Sequence, residues 1–360
     1  NAGSFGMAVS TAMIFGLVSL MFLDTSINMA MQPFKMMVGD MVNEKQKGLA
    51  YSIQSFLCNA GSLVGFLFPF IFTWIGISNI APQGVVPDSV IYSFYIGAAI
   101  LILCVIYTTV KVKEMPPAEY AEYHGITEEE KKEKINMVKL LVKAPKAFWT
   151  VGLVQFFCWF AFMFMWTYTN GSVAANVFDA PTVETVVNGA NKVVLDTKSI
   201  QYQNAADWVG VLFAVQAIGS VLWAVCIPMF KNRKLIYSLS LVLGGIGFIS
   251  TYFVHNQYVL FISFLLIGCA WAAMLALPFT ILTNALSGGH MGTYLGLFNG
   301  TICIPQIVAA TLGGSILALF TPKGMLPPEI NMLVMAGVML IIGAVCVYLI
   351  KETKGEQAKA

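Results

Sequence analysis

Apolar residues in this chain come in long runs instead of a period-two alternation. Nine runs lie near 7–37, 50–76, 91–110, 148–169, 207–229, 235–254, 258–284, 292–320 and 330–350. A helix needs about 20 apolar residues to cross the hydrocarbon core of a bilayer. The pattern therefore predicts nine membrane-spanning helices, most of them joined by short turns. Two connections are long: 111–147, rich in Lys and Glu, and 170–206, polar and mixed.

Polar side chains are not spread evenly over the runs. The third, sixth and ninth read "IYSFYIGAAILILCVIYTTV", "LIYSLSLVLGGIGFISTYFV" and "MLVMAGVMLIIGAVCVYLI", with no charged or amide side chain. The other six all carry such groups. Helices apolar all round face lipid, and helices with polar groups face protein or water. Six helices around an aqueous path, with every third helix peripheral, is a transporter arrangement. In the first run, "LDTSINMAMQPFK" puts Asp24, Asn28, Gln32 and Lys35 on one helical face.

Composition closes off other classes. The 360 residues are 58% hydrophobic and 11% charged, with a mean hydropathy of +0.77. Water-soluble domains carry roughly 25% charged residues, so the chain reads as an all-α polytopic membrane protein. Its seven cysteines lie inside apolar runs without metal-ligand spacing, as small hydrophobes. There is no P-loop, no HExxH, no Gly-rich dinucleotide turn and no catalytic Ser or Cys signature. We therefore expect no enzyme, no cofactor, no metal site and no nucleic-acid partner. The energy source should be an ion gradient.

The net charge of +2 says little, but the placement of charge says more. Taking alternate connections as one side gathers all 20 basic residues except Lys192, Lys198 and Lys323. Basic residues favour the cytoplasmic side. The expected location is the plasma (inner) membrane, multi-pass, with the N-terminus of this chain outside and the C-terminus inside. A chain that opens outside with Asn and without a signal sequence suggests further sequence upstream.

An internal repeat points the same way. "MAMQPFKMMVGDMVNEKQKGLAYSIQSF" and "AMLALPFTILTNALSGGHMGTYLGLFNG" each place Pro-Phe late in one helix and a Gly at the start of the next, at an offset of about 245 residues. Equal halves around the central basic loop would require three more helices before residue 1.

These features resemble the major facilitator superfamily. More narrowly, "LDTSIN", "QPFK" and "QKGLAYSIQSF" resemble the fourth and fifth helices of sucrose–proton symporters, within the glycoside–pentoside–hexuronide cation symporters. "MGTYLGLFNGTICIPQI" resembles their eleventh helix. The resemblance implies a major facilitator fold with nine of twelve helices present, N-terminally truncated, as helices four to twelve. It divides the chain into the remainder of the N-terminal half (1–110), a central cytoplasmic loop (111–147), a C-terminal six-helix half (148–350) and a tail (351–360). Lys35 stands where that family has Arg, and an ammonium lacks the planar fork of a guanidinium.

The resemblance assigns cation coupling to Asp24. A mid-bilayer charge costs roughly 2.5 kcal/mol or more, so it normally faces a cavity or a partner; the plainer reading is a structural carboxylate. Asn28 and Gln32 either bind sugar hydroxyls or link helices. Lys35 is a snorkelling anchor or half of an ion pair, and Asp40 a cap or a gating contact. Gln155, Trp159, Phe162 and Trp166 form a stripe on the fourth helix. Rings stack on pyranose faces and amides serve hydroxyls, although an aromatic belt would use the same residues. Gln54, Asn59, Gln216, Asn299 and Gln306 are candidate cavity amides, with Pro305 expected to bend its helix. Asp207 reads as a helix cap. Gly61–Gly65 and Gly292–Gly296–Gly300 have the spacing of close helix contacts.

The sequence thus predicts a secondary active transporter, a sugar (disaccharide or glycoside):proton symporter working by alternating access. Its ligands would be a sugar and H+, with Na+ as the other candidate cation. The rivals are a truncated, non-transporting fragment and a carrier of a non-sugar solute.

Overall fold

The computed structural model describes residues 9–77, 88–113, 137–187, 190–286, 291–322 and 324–350, with Pro116, Glu119 and Glu122. The side chains of Gln32, Lys35 and Asp40 lie outside the described residues. The helices are α1 (Val9–Met41), α2 (Glu44–Trp74), α3 (Asp88–Lys111), α4 (Met137–Lys143), α5 (Lys146–Asn176), α6 (Ile200–Cys226), α7 (Arg233–Ser250), α8 (Leu260–Ala285), α9 (Met291–Phe298), α10 (Gly300–Phe320) and α11 (Ile330–Cys346). Hydrocarbon offers the backbone no partner, so each apolar run satisfies its peptide groups internally as a helix.

Among the described residues, eight segments are long and apolar enough to cross a membrane, with α9 and α10 counted as one. The remaining sequence run is α2. It spans 31 residues, as α5 does. The fold is that of a mostly helical multi-pass membrane protein.

The chain divides into two compact units, Asn1–Val42 with Val64–Glu133, and Asn43–Leu63 with Lys134–Ala360. In the first, Phe72 of α2 packs near Tyr92 of α3 at 6.5 Å between ring centres. The α1 stretch Ile14–Met31 has no buried residue. In the second, α8 lies along α6 and α7, α11 along α5 and α7, and α10 against α5.

Close crossings in the second unit occur at glycines that the GxxxG spacing does not mark. A Cβ added at Gly219 would stand 2.5 Å from the Leu265 carbonyl oxygen, and one at Gly268 would strike the Gln216 carbonyl. Gly245 and Gly337 likewise face each other's carbonyls, at 2.9 and 2.7 Å. Small residues let backbones meet and gain dispersion contact where lipid supplies no hydrophobic drive. By contrast, an added Cβ at Gly61, Gly65 or Gly296 would meet open space.

One local detail is added and one expectation corrected. A single-residue turn at Asn299 separates α9 from α10 within the one apolar span Gly292–Phe320, and Pro305 lies inside α10. Asn299 N–H is shared between the carbonyls of Leu295 and Gly296, both at 3.2 Å, while Ile302 N–H donates to the Asn299 carbonyl at 3.0 Å. Gly296 and Gly300 flank it, and poor helix formers tolerate this tightened turn. Asp207 does not cap α6. The helix starts at Ile200, and the Ser199 hydroxyl accepts from the Tyr202 N–H at 3.3 Å.

The connection after α5 is more ordered than its mixed composition suggests. Thr182–Val187 and Ala190–Leu195 pair antiparallel as β1 and β2, with Thr182 opposite Leu195 and Val187 opposite Ala190. The residues between them in the sequence, Asn188-Gly189, are the dipeptide favoured in two-residue hairpins. In the 111–147 segment, α4 carries Val138 exposed and Leu141 half-buried, while Ile126 and Ile135 lie outside the described residues.

Candidate functional site

Aromatic residues of two helices converge in the second unit. Trp159, Phe162 and Trp166 recur at near-helical spacing and share one face of α5. They meet Trp271 of α8, with ring centres 5.7 Å from Trp159, 4.8 Å from Phe162 and 5.7 Å from Trp166. The two Trp–Trp contacts to Trp271 are edge-on, at 76° and 83°, the arrangement that ring quadrupoles prefer. Trp159 is buried, Trp271 half-buried, and Trp166 43% exposed. The cluster therefore runs from a packed base to an open rim.

Polar groups with unused capacity adjoin it. Among the described residues the buried Trp159 Nε1–H has no acceptor. Beside Trp271, the Ala272 carbonyl accepts from Ser55 Oγ of α2 at 3.4 Å. One turn along α2, Asn59 donates to the Ser55 carbonyl at 2.6 Å, which leaves its own buried Oδ1 without a donor. Unpaired buried polar atoms are rare, and each calls for an explanation. Here the donor belongs to the aromatic cluster itself, and the acceptor lies on α2 one turn from the Ser55 contact with Ala272. Gln54 also holds a buried, unpartnered Nε2, but it lies about 140° around α2 from Asn59.

The other predicted residues distribute differently. Gln155 is fully buried, and both ends of its amide are used between helices: Nε2 donates to the Met274 carbonyl and Oε1 accepts from the Tyr237 hydroxyl, each at 3.4 Å. It fixes α5 one turn below Trp159. Asn299 sits at the α9–α10 turn with a buried Oδ1 unpartnered among the described residues. Next to that turn, Phe298 packs on Phe148 at 5.7 Å, and Thr301 crowds Gly152. This places the turn roughly 10–16 Å along α5 from Trp159. Gln306 is half-buried on α10.

Asp24 lies on exposed α1. Among the described residues its carboxylate accepts from Asn28 Nδ2 at 3.2 Å, and the same amide donates to the Asp24 carbonyl at 2.9 Å. Thr25 and Ser26 bond back to the carbonyls of Met21 and Phe22, each at 2.7 Å. The hydroxyls of this stripe are thus satisfied within α1. Leu20, Phe22 and Ile27 are exposed as well, so exposure does not distinguish the faces of this helix.

Sequence reasoning missed two residues. Trp271 is hidden in a run where every neighbour is apolar; pairing it with the Trp stripe of α5 would have flagged it. Glu329 ends the "LPPE" segment just before α11, and its carboxyl lies against Gly171 of α5. Burial pushes that carboxyl up to about 7.

The family model described as Major Facilitator Superfamily matches residues 2–189 and again 173–360. The chain belongs to the Major Facilitator Superfamily, whose members are membrane transporters. No curated protein sequence matches it. Among solved structures it is similar to a variant of the E. coli fucose:proton symporter. That likeness has a TM-score of 0.53 and 15% identity, and it covers 88% of this chain and 72% of that one.

Proposed function

We propose that this chain is a sugar:proton symporter of the plasma (inner) membrane, working by alternating access with its basic end inside. The observation that carries the sugar assignment is the Trp159–Trp166–Trp271 cluster, with an indole N–H and, one turn from the Ser55–Ala272 contact, an Asn59 oxygen that have no partner among the described residues. Ring faces take the apolar side of a pyranose, and the donor and acceptor take its hydroxyls. Asn299, at the single-residue turn between α9 and α10 and with an oxygen unpartnered among the described residues, adds a polar contact at the lower end. The E. coli fucose:proton symporter supports this reading through its fold. The rings and amides suit a neutral glycoside.

In this reading Asp24 carries the proton. Asn28, which holds the carboxylate, and Gln32 continue its polar face, while Lys35 and Asp40 serve an ion pair or a gate. Proton and sugar must each favour the state that the other favours. The test is uptake of radiolabelled sugars into proteoliposomes holding the full chain under an imposed pH gradient. Wild type should concentrate a glycoside. Asp24→Asn should lose gradient-driven accumulation yet keep sugar exchange. Unchanged gradient-driven uptake in Asp24→Asn refutes the coupling role, and an absence of uptake for every sugar refutes the substrate class.

A further inference from the structure

Beneath the ring cluster, a polar link joins three helices. Tyr237 of α7, Gln155 and Cys158 of α5 and Met274 of α8 are all fully buried. The Tyr237 hydroxyl donates to Gln155 Oε1, and Gln155 Nε2 donates to the Met274 carbonyl, each at 3.4 Å. The same hydroxyl shares a further hydrogen bond with the Cys158 thiol. Gln155 and Cys158 are three residues apart on α5, so one phenol holds two positions on one helical face.

An amide has a donor end and an acceptor end, and its surroundings decide which way it points. Turned over, Gln155 would set its oxygen against the Met274 carbonyl, acceptor to acceptor. The phenol O–H opposes that turn, because it needs an acceptor on its own side. An unmet polar end is costly in a buried site, so the phenol fixes the direction in which Gln155 reaches α8. The link lies one turn from the rings on both helices: Gln155 precedes Trp159, and Met274 follows Trp271. Residue 155 meets 274 and residue 159 meets 271. The helices are therefore antiparallel here, and the hydrogen bond and the ring contact are successive rungs between them.

We propose that Tyr237 is a positioning residue for the sugar platform: by aiming the Gln155 amide at α8, it holds Trp159 in edge-on contact with Trp271. This rests on the reading of the tryptophans as the sugar site. Tyr237 acts through Gln155 and itself touches no sugar. Without its hydroxyl, α5 and α8 lose a fixed rung, and the rings lose their mutual angle.

The experiment compares Tyr237→Phe, Gln155→Leu, the double variant and Ser238→Ala in the full chain. Ser238 donates to the Ala344 carbonyl of α11 at 3.1 Å, so Ser238→Ala removes a buried interhelical hydrogen bond beside Tyr237 and leaves the Gln155 link alone. The first readout is circular dichroism in detergent without sugar. It follows the exciton band that Trp271 makes with Trp159 and Trp166, taken as the part lost in Trp271→Phe. Tyr237→Phe should shrink that band, and Ser238→Ala should leave it unchanged. The second readout is uptake into proteoliposomes. Tyr237→Phe should raise the sugar concentration for half-maximal uptake about three- to tenfold at an unchanged maximal rate. The double variant should be no worse than Gln155→Leu alone. An unchanged exciton band in Tyr237→Phe overturns the positioning role, as does a double variant in which the two losses add. A smaller band with sugar uptake unaltered upholds the link and takes the rings out of the sugar path instead.

Discussion

Replacing Glu329 by Gln should flatten the pH dependence of unfolding. In the unfolded chain a glutamate carboxyl titrates near 4.5; in the fold, burial against Gly171 pushes Glu329 to about 7. Between those values the folded state binds more protons than the unfolded one, so stability falls as pH rises. The favourable, protonated state is fully present below about 4.5, and its advantage is gone above about 7. Spread over that window at 1.36 kcal/mol per pH unit, ionisation costs at most roughly 3 kcal/mol, and water reaching the half-buried group brings this nearer to 2. Thermal unfolding of the detergent-solubilised chain from pH 4.5 to 8 should show the wild-type midpoint dropping by several degrees. The Glu329→Gln midpoint should stay level across the same range. Gly171→Ala should also flatten the slope, because an added methyl takes the space of the carboxyl and drives it into water. A Glu329→Gln protein that keeps the wild-type slope would refute the burial argument.

Further outcomes follow from the packing. Trp271→Ala should raise the sugar concentration for half-maximal uptake about tenfold, since it removes two edge-on tryptophan contacts and part of the ring platform, whereas Trp271→Phe should recover part of the loss. Proteoliposome uptake curves decide this, and an unchanged curve for Trp271→Ala would remove the cluster from the sugar path. Gly268→Ala should destabilise the second unit by about 1–3 kcal/mol, because the methyl strikes the Gln216 carbonyl and stands 2.7 Å from the Ser220 nitrogen. Gly296→Ala, which meets open space, should cost nothing measurable in the same unfolding assay.

Long apolar runs made the helices readable, because in hydrocarbon a long apolar segment has no alternative to a helix. The Trp stripe of α5 was equally readable from spacing. Pairwise matters were not. Which glycines meet a neighbouring backbone depends on helix crossings, so Gly219, Gly268 and Gly337 carried no local mark while Gly61, Gly65 and Gly296 carried a false one. Gln155 looked like a binding amide until Met274 and Tyr237 supplied its partners. Trp271 gained meaning only when α8 crossed α5. The hairpin was marked only by the Asn-Gly dipeptide between two Val-rich stretches, within a connection of mixed polarity.

That hairpin has a use beyond its own fold. A ribbon of two strands leaves its outward peptide groups unpaired, and only water can satisfy them. The Asp196 N–H closes the ribbon by donating to the Pro181 carbonyl at 2.8 Å, a few residues past the last turn of α5 and just ahead of α6. The ribbon is therefore a fixed tide-line. It marks where both helices must already have left the acyl chains, and gives any depth measurement along them a common zero.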